Sequence, residues 1–509
     1  MSEKVDHVAA SDVEADHHPD KTSTAPGALD DTYALYSADD VIDPEEARRV
    51  LHKIDWHILP LLCGTYLMQY LDKSSINFAS VFHLQEGTHL HGQQYAWLSS
   101  IFYFGYLVAQ YPAGYAMQRL PIAKFIGVTI LTWGMLIITT PACKNFAGIA
   151  TNRFLLGVTE AVVNPGFVLV LSSWWTQAEQ PIRLVTYYCM NGVAGIIGGL
   201  LGYAVGHITT GLQQWQYVFL IFGSISIAWS VVFLLFMPDL PSSTRFLSQR
   251  EKVVAVERVA ANRQGVKNKT FQQYQVWQFA KDPKTWILFF MSIAAQIPNA
   301  AQGSFTSLIL KGFGFTTLQT QYYQMPGNAV QIISLLLSGW ISSRWPNMRC
   351  VCMIVGNVIC IAAAAALVAL PTDAKWGRLV SLWLCSCQSV GFALSLTLVS
   401  SNVAGYTKKQ LTGAALFVGY CVGNIIGPQT FRDKEAPLYH SAYIAILVGY
   451  TAKTVLVGVL YFYMWSVNKA RDRAAAADGL SSAVDEKQAI ENGMHDMTEL
   501  DNKGFRYVL

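Results

Sequence analysis

Twelve apolar stretches lie between Trp56 and Trp465, divided six and six by the charged segment Pro238–Lys284. Each is about as long as the roughly 20 residues a helix needs to cross a bilayer. Hydrocarbon accepts only structures that satisfy their own backbone groups. The pattern therefore predicts an all-α integral membrane protein with twelve transmembrane helices in two six-helix halves. The expected spans are about 57–80, 93–117, 122–142, 147–171, 184–206, 215–237, 285–306, 320–342, 350–370, 379–400, 411–430 and 441–465. Residues 56–237 then form one bundle and 285–465 the other. Residues 238–284 make a polar central loop, and 1–55 and 466–509 are tails too polar to bury much surface and are expected to be disordered. Two halves joined this way are a transporter architecture.

Composition sharpens this reading. The chain is 52% hydrophobic and 14% charged, and its charges cluster between the stretches, whereas a soluble helix keeps one polar face. A net charge of +3 without a basic tract gives no reason to expect nucleic acid. The nine cysteines fall mostly inside apolar stretches and lack zinc-ligand spacing, so they read as small packing residues. No nucleophile–base arrangement or metal-ligand set stands out, so neither an enzyme nor a cofactor is expected. The chain is read as a monomer in lipid. The N-terminal segment has no apolar core of the kind a cleaved signal peptide carries.

Lys and Arg mark one side of the membrane. Arg48, Arg49, Lys53, Arg119, Lys124, Arg183, Arg344, Arg349, Lys408 and Lys409 share it with the basic residues of the central loop. This bias places both termini and that loop in the cytoplasm. The single sequon, Asn268-Lys269-Thr270, falls on that side and is expected to go unused. Arg245–Asn262 has the periodicity of a surface helix beneath the membrane. Glycines recur in the fifth span (Gly192, Gly195, Gly198, Gly199, Gly202, Gly206) and in the eleventh (Gly419, Gly423, Gly427). They allow close helix packing, either as structure alone or at the contacts that rock.

Five ionisable residues lie within the spans: Asp72, Lys73, Arg153, Glu160 and Lys453. Intramembrane charge is costly, so each is a functional candidate. Asp72 and Lys73 sit about 6–7 Å past the centre of their span, Arg153 lies at a similar depth, and Glu160 is near the midplane, roughly 10 Å from Arg153 on the same helix face. Two cations and two carboxylates in one cavity are the parts of a proton-coupled anion carrier: the cations hold the anion and a partly desolvated carboxylate carries a proton. A charge-balanced structural cluster of Asp72 with Arg153 is the alternative. Lys453 stands apart and is expected to face a neighbouring helix or reach an interface. Pro165-Gly166 is expected to bend the fourth helix five residues past Glu160. Tyr70, Asn191, Gln296, Asn299, Asn402 and Asn424 are candidates to line a path, or to bond helix to helix.

These residues carry a resemblance. Lys53-Ile54-Asp55, Tyr70–Ala79 (YLDKSSINFA), Arg153–Glu160 (RFLLGVTE), Pro165-Gly166-Phe167, Met237–Pro241 (MPDLP), Lys408-Lys409 and Gly423–Gln429 (GNIIGPQ) resemble, in order, a fungal major facilitator of the anion:cation symporter group, the allantoate, nicotinate and pantothenate permeases. Gly114–Lys124 resembles the superfamily's loop signature without its acidic residue. The resemblance implies alternating access driven by protons, with Asp72 and Glu160 handling protons, Lys73 and Arg153 binding the substrate carboxylate, and Tyr70 and Asn424 contacting substrate. Lys73 stands where similar bacterial symporters have Arg, so a point charge replaces a bidentate fork. Ile297–Ala301 has alanines where many relatives have paired glycines. The function expected is import of a small organic monocarboxylate, such as a ureide, a vitamin acid or a sugar acid, across the plasma membrane. An exporter of an acidic metabolite is the nearest alternative, and a non-transporting nutrient sensor is a more distant one.

Overall fold

A chain whose backbone must satisfy itself is expected to be helical almost throughout. The computed structural model, which describes residues 43–176, 179–241, 244–264, 271–477 and 497–509, bears this out. Most of the expected disordered N-terminal tail and the Asn268 sequon lie outside those residues. The first half comprises α1 (Pro44–Ala79), α2 (Gln94–Arg119), α3 (Ile122–Thr139), α4 (Phe146–Trp174), α5 (Gln180–Gly206) and α6 (Gln214–Phe236). Two linker helices follow, α7 (Gln249–Gln264) and α8 (Gln273–Lys281). The second half comprises α9 (Pro283–Ala300, extended by Ala301–Phe305 and Thr306–Gly312), α10 (Thr317–Tyr323 and Met325–Arg344), α11 (Arg349–Ala369), α12 (Lys375–Asn402), α13 (Tyr406–Gln429) and α14 (His440–Ala477). The surface helix expected over 245–262 is α7. The second linker helix, α8, was not anticipated.

Among the described residues, eight helices are apolar and long enough to cross a membrane on those grounds alone. The other four spanning helices, α1, α2, α9 and α10, hold polar residues of the contact between halves or are interrupted by turns. α1 starts with Asp43 as N-cap, its side chain accepting from the Glu45 amide, with Pro44 and two glutamates in the first turn. α4 is interrupted at Ala161–Val162, one residue past Glu160 rather than five. The reason is that a proline ring meets the carbonyl four residues back, which for Pro165 is that of Ala161.

The halves touch mainly at the face away from the termini. Gln93 donates to the Phe431 carbonyl at 2.8 Å, Tyr95 to that of Ser304 at 2.6 Å and Ser100 to that of Ile425 at 2.8 Å. Asn77 at the end of α1 donates to Gln324 at 3.1 Å and accepts from the Ser307 amide at 2.9 Å. Five of the six α5 glycines pack across the halves against α10, where a Cβ on Gly199 would lie 2.6 Å from the Gln321 carbonyl oxygen, while Gly198 meets Phe78 of α1. The α13 glycines pack inside the second half against α9. Of the two ladders, only the first crosses the contact between the halves.

The C-terminal segment corrects the expectation of a disordered tail. α14 continues to Ala477, and residues 497–509 dock on the terminal face of the second half. Glu499 is fully buried there, 2.6 Å from Lys284 and in contact with Lys408, while Asp282 lies 2.7 Å from Lys408. Lys284 and Lys408, read from sequence as surface cations, are thus buried in a balanced cluster. Asn402 exchanges hydrogen bonds with the backbone of Val508, Asn468 does so with Tyr507, and Leu509 meets Asn347 and the Arg349 amide. These contacts tie α9, α11, α12, α13 and α14 together at one face.

Burial alone would push the Glu499 carboxyl up, but the two ammonium groups outweigh it and hold it down to about 2. Glu499→Ala is therefore expected to lower the unfolding free energy by on the order of 3–5 kcal/mol, since it leaves buried cations uncompensated. Thermal unfolding of the purified protein checks this. The ordinary value is 4.5, so this contribution is complete above about pH 4.5 and is lost as pH falls toward 2. A variant as stable as the parent at neutral pH would count against a docked segment.

Candidate functional site

A cavity of about 1060 Å³, including its open mouth, lies between the halves. With the far face closed by the contacts above, its opening is toward the terminal face. Charge, amides and tyrosines line it, and each arrives there for a local reason.

α1 brings Gln69, Tyr70 and Lys73 to the wall. Lys73 is half-buried; its ammonium donates to the Tyr420 hydroxyl at 3.2 Å and lies 5.1 Å from the centre of the Tyr103 ring. Both rings present electron-rich faces to the cation. Tyr420 is on α13, so this lysine already touches the second half. Asp72, the preceding residue, is rotated about 100° around the helix and does not line the cavity. It is fully buried and accepts from Ser226 of α6.

Glu160 lies at the end of the first segment of α4, just before the break, and borders the cavity with its carboxyl fully buried in the wall. Among the described residues neither carboxyl oxygen has a hydrogen-bond partner; the Gln69 amide donates instead to the main-chain carbonyl of Glu160 at 3.3 Å. Arg153, two turns earlier, is only 3% exposed and outside the cavity. Its guanidinium donates to Ser75 at 3.1 Å and lies 5.7 Å from the Phe219 ring. Asp72 and Arg153 are thus electrostatic neighbours behind the wall, with no direct ion pair between them among the described residues. The four charges share one region of the first half; Lys73 reaches the space where a ligand fits, Glu160 borders it from within the wall, and Asp72 and Arg153 lie behind.

The second half supplies amides. Asn299 lines the cavity and donates at 3.0 Å to Asn424, which is fully buried and donates onward to Gln296 at 3.1 Å. Asn424 therefore holds Asn299 in place from behind. Asn191 and Gln296 also line the cavity, whereas Asn402 lies at the terminal end of α12, bonded to Val508.

Several lining groups escaped the sequence reading, Gln69 and Asn164 of the first half among them, and three in the second half stand out. Gln302 sits in the π-turn Ala301–Phe305 that follows Pro298, and Gln388 closes the 3₁₀ turn Cys385–Gln388 in α12. Gln388 donates to Gln302 at 2.6 Å, and Gln302 donates to Ser386 at 3.0 Å. Tyr420, one turn before Asn424, is the third. Amides inside apolar spans were a signal for the first two, and Tyr420 was marked only by its helical spacing from Asn424.

Comparison with known proteins agrees with this architecture. The family model described as Major Facilitator Superfamily matches residues 62–428. An uncharacterised transporter of Schizosaccharomyces pombe is 37% identical, over 94% of this chain and 90% of that protein. The allantoate permease of Saccharomyces cerevisiae is 33% identical, over 92% and 88% respectively. A thiamine pathway transporter of the same yeast is 31% identical, over 94% and 91%. Among solved structures, a proton:xylose symporter superposes with a TM-score of 0.61 at 12% identity, covering 81% of this chain and 95% of that one. At that identity the likeness concerns the fold.

The split between wall and interior generates a stability contrast. Arg153→Met removes the cation nearest Asp72 and is expected to cost on the order of 3 kcal/mol, partly recovered by adding Asp72→Asn. Lys73→Met, only partly exposed to the cavity and in no ion pair among the described residues, is expected to cost less, about 1 kcal/mol. Thermal unfolding of the three variants decides it; equal losses for Arg153 and Lys73 would argue against this division of roles.

Proposed function

The chain belongs to the Major Facilitator Superfamily and is a membrane transporter, and on that premise we propose that it imports a small organic carboxylate together with protons. The observation that carries this reading is the pairing, at one amide-rich cavity, of a partly exposed lysine with a carboxyl buried in the wall that no hydrogen bond among the described residues holds. Lys73 takes the substrate carboxylate as a point charge, exchanging its contact with Tyr420 for the anion. Glu160 takes and releases the proton, since no contacting donor fixes its charge state. Asp72 and Arg153 act from behind the wall. Asp72 is a second, shielded proton site, and Arg153 adds positive potential toward the anion. Tyr70 and Asn299 contact the substrate directly, and Asn424 acts through Asn299. The termini are cytoplasmic and the membrane is the plasma membrane, so the state described here is open inward.

Substrate class follows from the lining. Gln69, Asn164 and Asn191 on one side face Gln296, Asn299 and Gln302 on the other, a surface of paired donors and acceptors. It suits a carboxylate that also carries amide or urea groups, and the likeness to the yeast allantoate permease supports a ureide acid as the first candidate. Selectivity among acids rests on such polar contacts and on shape.

The test is uptake of radiolabelled carboxylates at pH 5 and pH 7.5 in cells lacking their own permeases. Accumulation is expected to rise at acid pH and to collapse with a protonophore. Glu160→Gln should abolish accumulation against a gradient while preserving substrate exchange; loss of exchange as well would remove the pure proton role. Absence of any uptake by protein present at the cell surface would favour an exporter.

A further inference from the structure

Lys453, near the middle of α14, is 1% exposed and turned into the protein rather than toward an interface. Among the described residues it has no carboxylate partner; its ammonium donates to the main-chain carbonyl of Gln388 at 3.2 Å. That carbonyl belongs to the 3₁₀ turn Cys385–Gln388, where α12 leaves its regular hydrogen-bond ladder. Other donors gather at the same turn. Tyr450 donates to the Cys385 carbonyl at 3.3 Å and to the Gln388 side chain at 3.2 Å, and the Cys360 thiol reaches the Cys385 carbonyl at 3.5 Å. The turn itself, Cys-Ser-Cys-Gln, has neither proline nor glycine to impose it. Donors from α11 and α14 hold it instead. One residue pattern makes room for the cation: a Cβ on Gly391 would lie 2.2 Å from the Lys453 ammonium.

The turn points Gln388 at the cavity and Ser386 at a smaller adjoining pocket that Tyr70 and Gln302 also line. Ser386 accepts from Gln302, and Gln388 donates to Gln302, which links α12 to the π-turn of α9. A charged group in mid-membrane is among the most costly placements available, and an aliphatic residue would fill the same volume without that cost. The geometry points to a use for it. We propose that Lys453 is a positioning residue for the transport cavity: by holding the Gln388 carbonyl it keeps the α12 turn open, so that Gln388 and Ser386 meet Gln302 at the substrate's second-half wall. This rests on the reading of that cavity as the transport site.

The test combines a measurement that needs no substrate with one that does. In hydrogen exchange of the purified full chain, Lys453→Met should speed exchange of the amides of residues 386–392 roughly tenfold, leaving α1–α6 unchanged. Lys453→Gln, which keeps a shorter donor, should give a smaller rise and serves if the Met variant does not fold. Thr451→Val, an exposed position two residues away, is the control and should match the parent. Unchanged exchange in the turn, or a rise spread evenly over the second half, would overturn the proposal. For the labelled carboxylate that the uptake panel identifies, KM should rise roughly tenfold with maximal rate within about twofold. An unchanged KM would overturn it. A panel that finds no transported acid would defeat the transport reading, while the exchange result would still decide whether Lys453 holds the turn.

Discussion

A carbonyl or amide without a partner has no water to fall back on in hydrocarbon, and that constraint organises this protein. Its helices run unbroken where they face lipid and break only where protein covers the break. α4 is interrupted at Ala161–Val162, α9 widens into a π-turn at Ala301–Phe305, and α12 tightens into a 3₁₀ turn at Cys385–Gln388. Each break places a polar residue at the cavity wall: Glu160, Gln302 and Gln388 respectively, the first of them fully buried. The polar chemistry of the site and the irregular backbone are therefore two faces of one requirement, since a turn that frees carbonyls must be surrounded by donors, and those donors draw polar groups to the centre.

The same requirement makes the halves stiff and their contact soft. Within the first half, Arg183 forks onto Asp55 at 2.6 and 3.0 Å and Asp239 caps the start of α3. Within the second, the Lys284, Lys408, Asp282 and Glu499 cluster is wholly buried. Between the halves the described ties, apart from the Lys73 ammonium on Tyr420, are neutral hydrogen bonds, many of them to main-chain carbonyls. Each is worth about 0.5–1.5 kcal/mol net, and water can replace it. Breaking a charged cluster inside a half costs several times more. A motion that separates the far face while sparing each half is the cheap one, and it is the motion alternating access needs.

Sequence carried the architecture because hydropathy over 20 residues is a long-range average, insensitive to local detail. It carried the identity of the charged residues for the same reason: a lone Asp or Arg in an apolar span is visible without structure. It could not say which way each pointed. Asp72 and Lys73 are adjacent, so depth arithmetic treats them alike, yet the helical rotation between neighbours sends one to α6 and the other to the cavity. Arg153 and Glu160 lie at i and i+7, nominally one face, but the break after Glu160 and the packing against α6 separate their surroundings. The 3₁₀ turn of α12 lacks the proline or glycine that would announce it. The docked C-terminal segment was hidden by composition: its polar average masks Phe505, Tyr507 and Leu509, and the partner of Glu499 lies 91 residues away at Lys408.

Charge arithmetic explains why proton and anion should travel together in the proposed cycle. Asp72, Glu160, Lys73 and Arg153 sum to zero when all are ionised. An anion bound to Lys73 would leave the region at a net charge of −1 in a low-dielectric setting where unbalanced charge is strongly disfavoured. A proton on Glu160 restores the balance. The two binding events then favour each other through the field they share, with no contact between them required, and Asp72 with Arg153 behind the wall supply a fixed, nearly neutral background against which that single exchange is felt. An uncharged substrate would give the proton no such reason to accompany it, so the pairing of Lys73 with Glu160 argues for an anionic cargo.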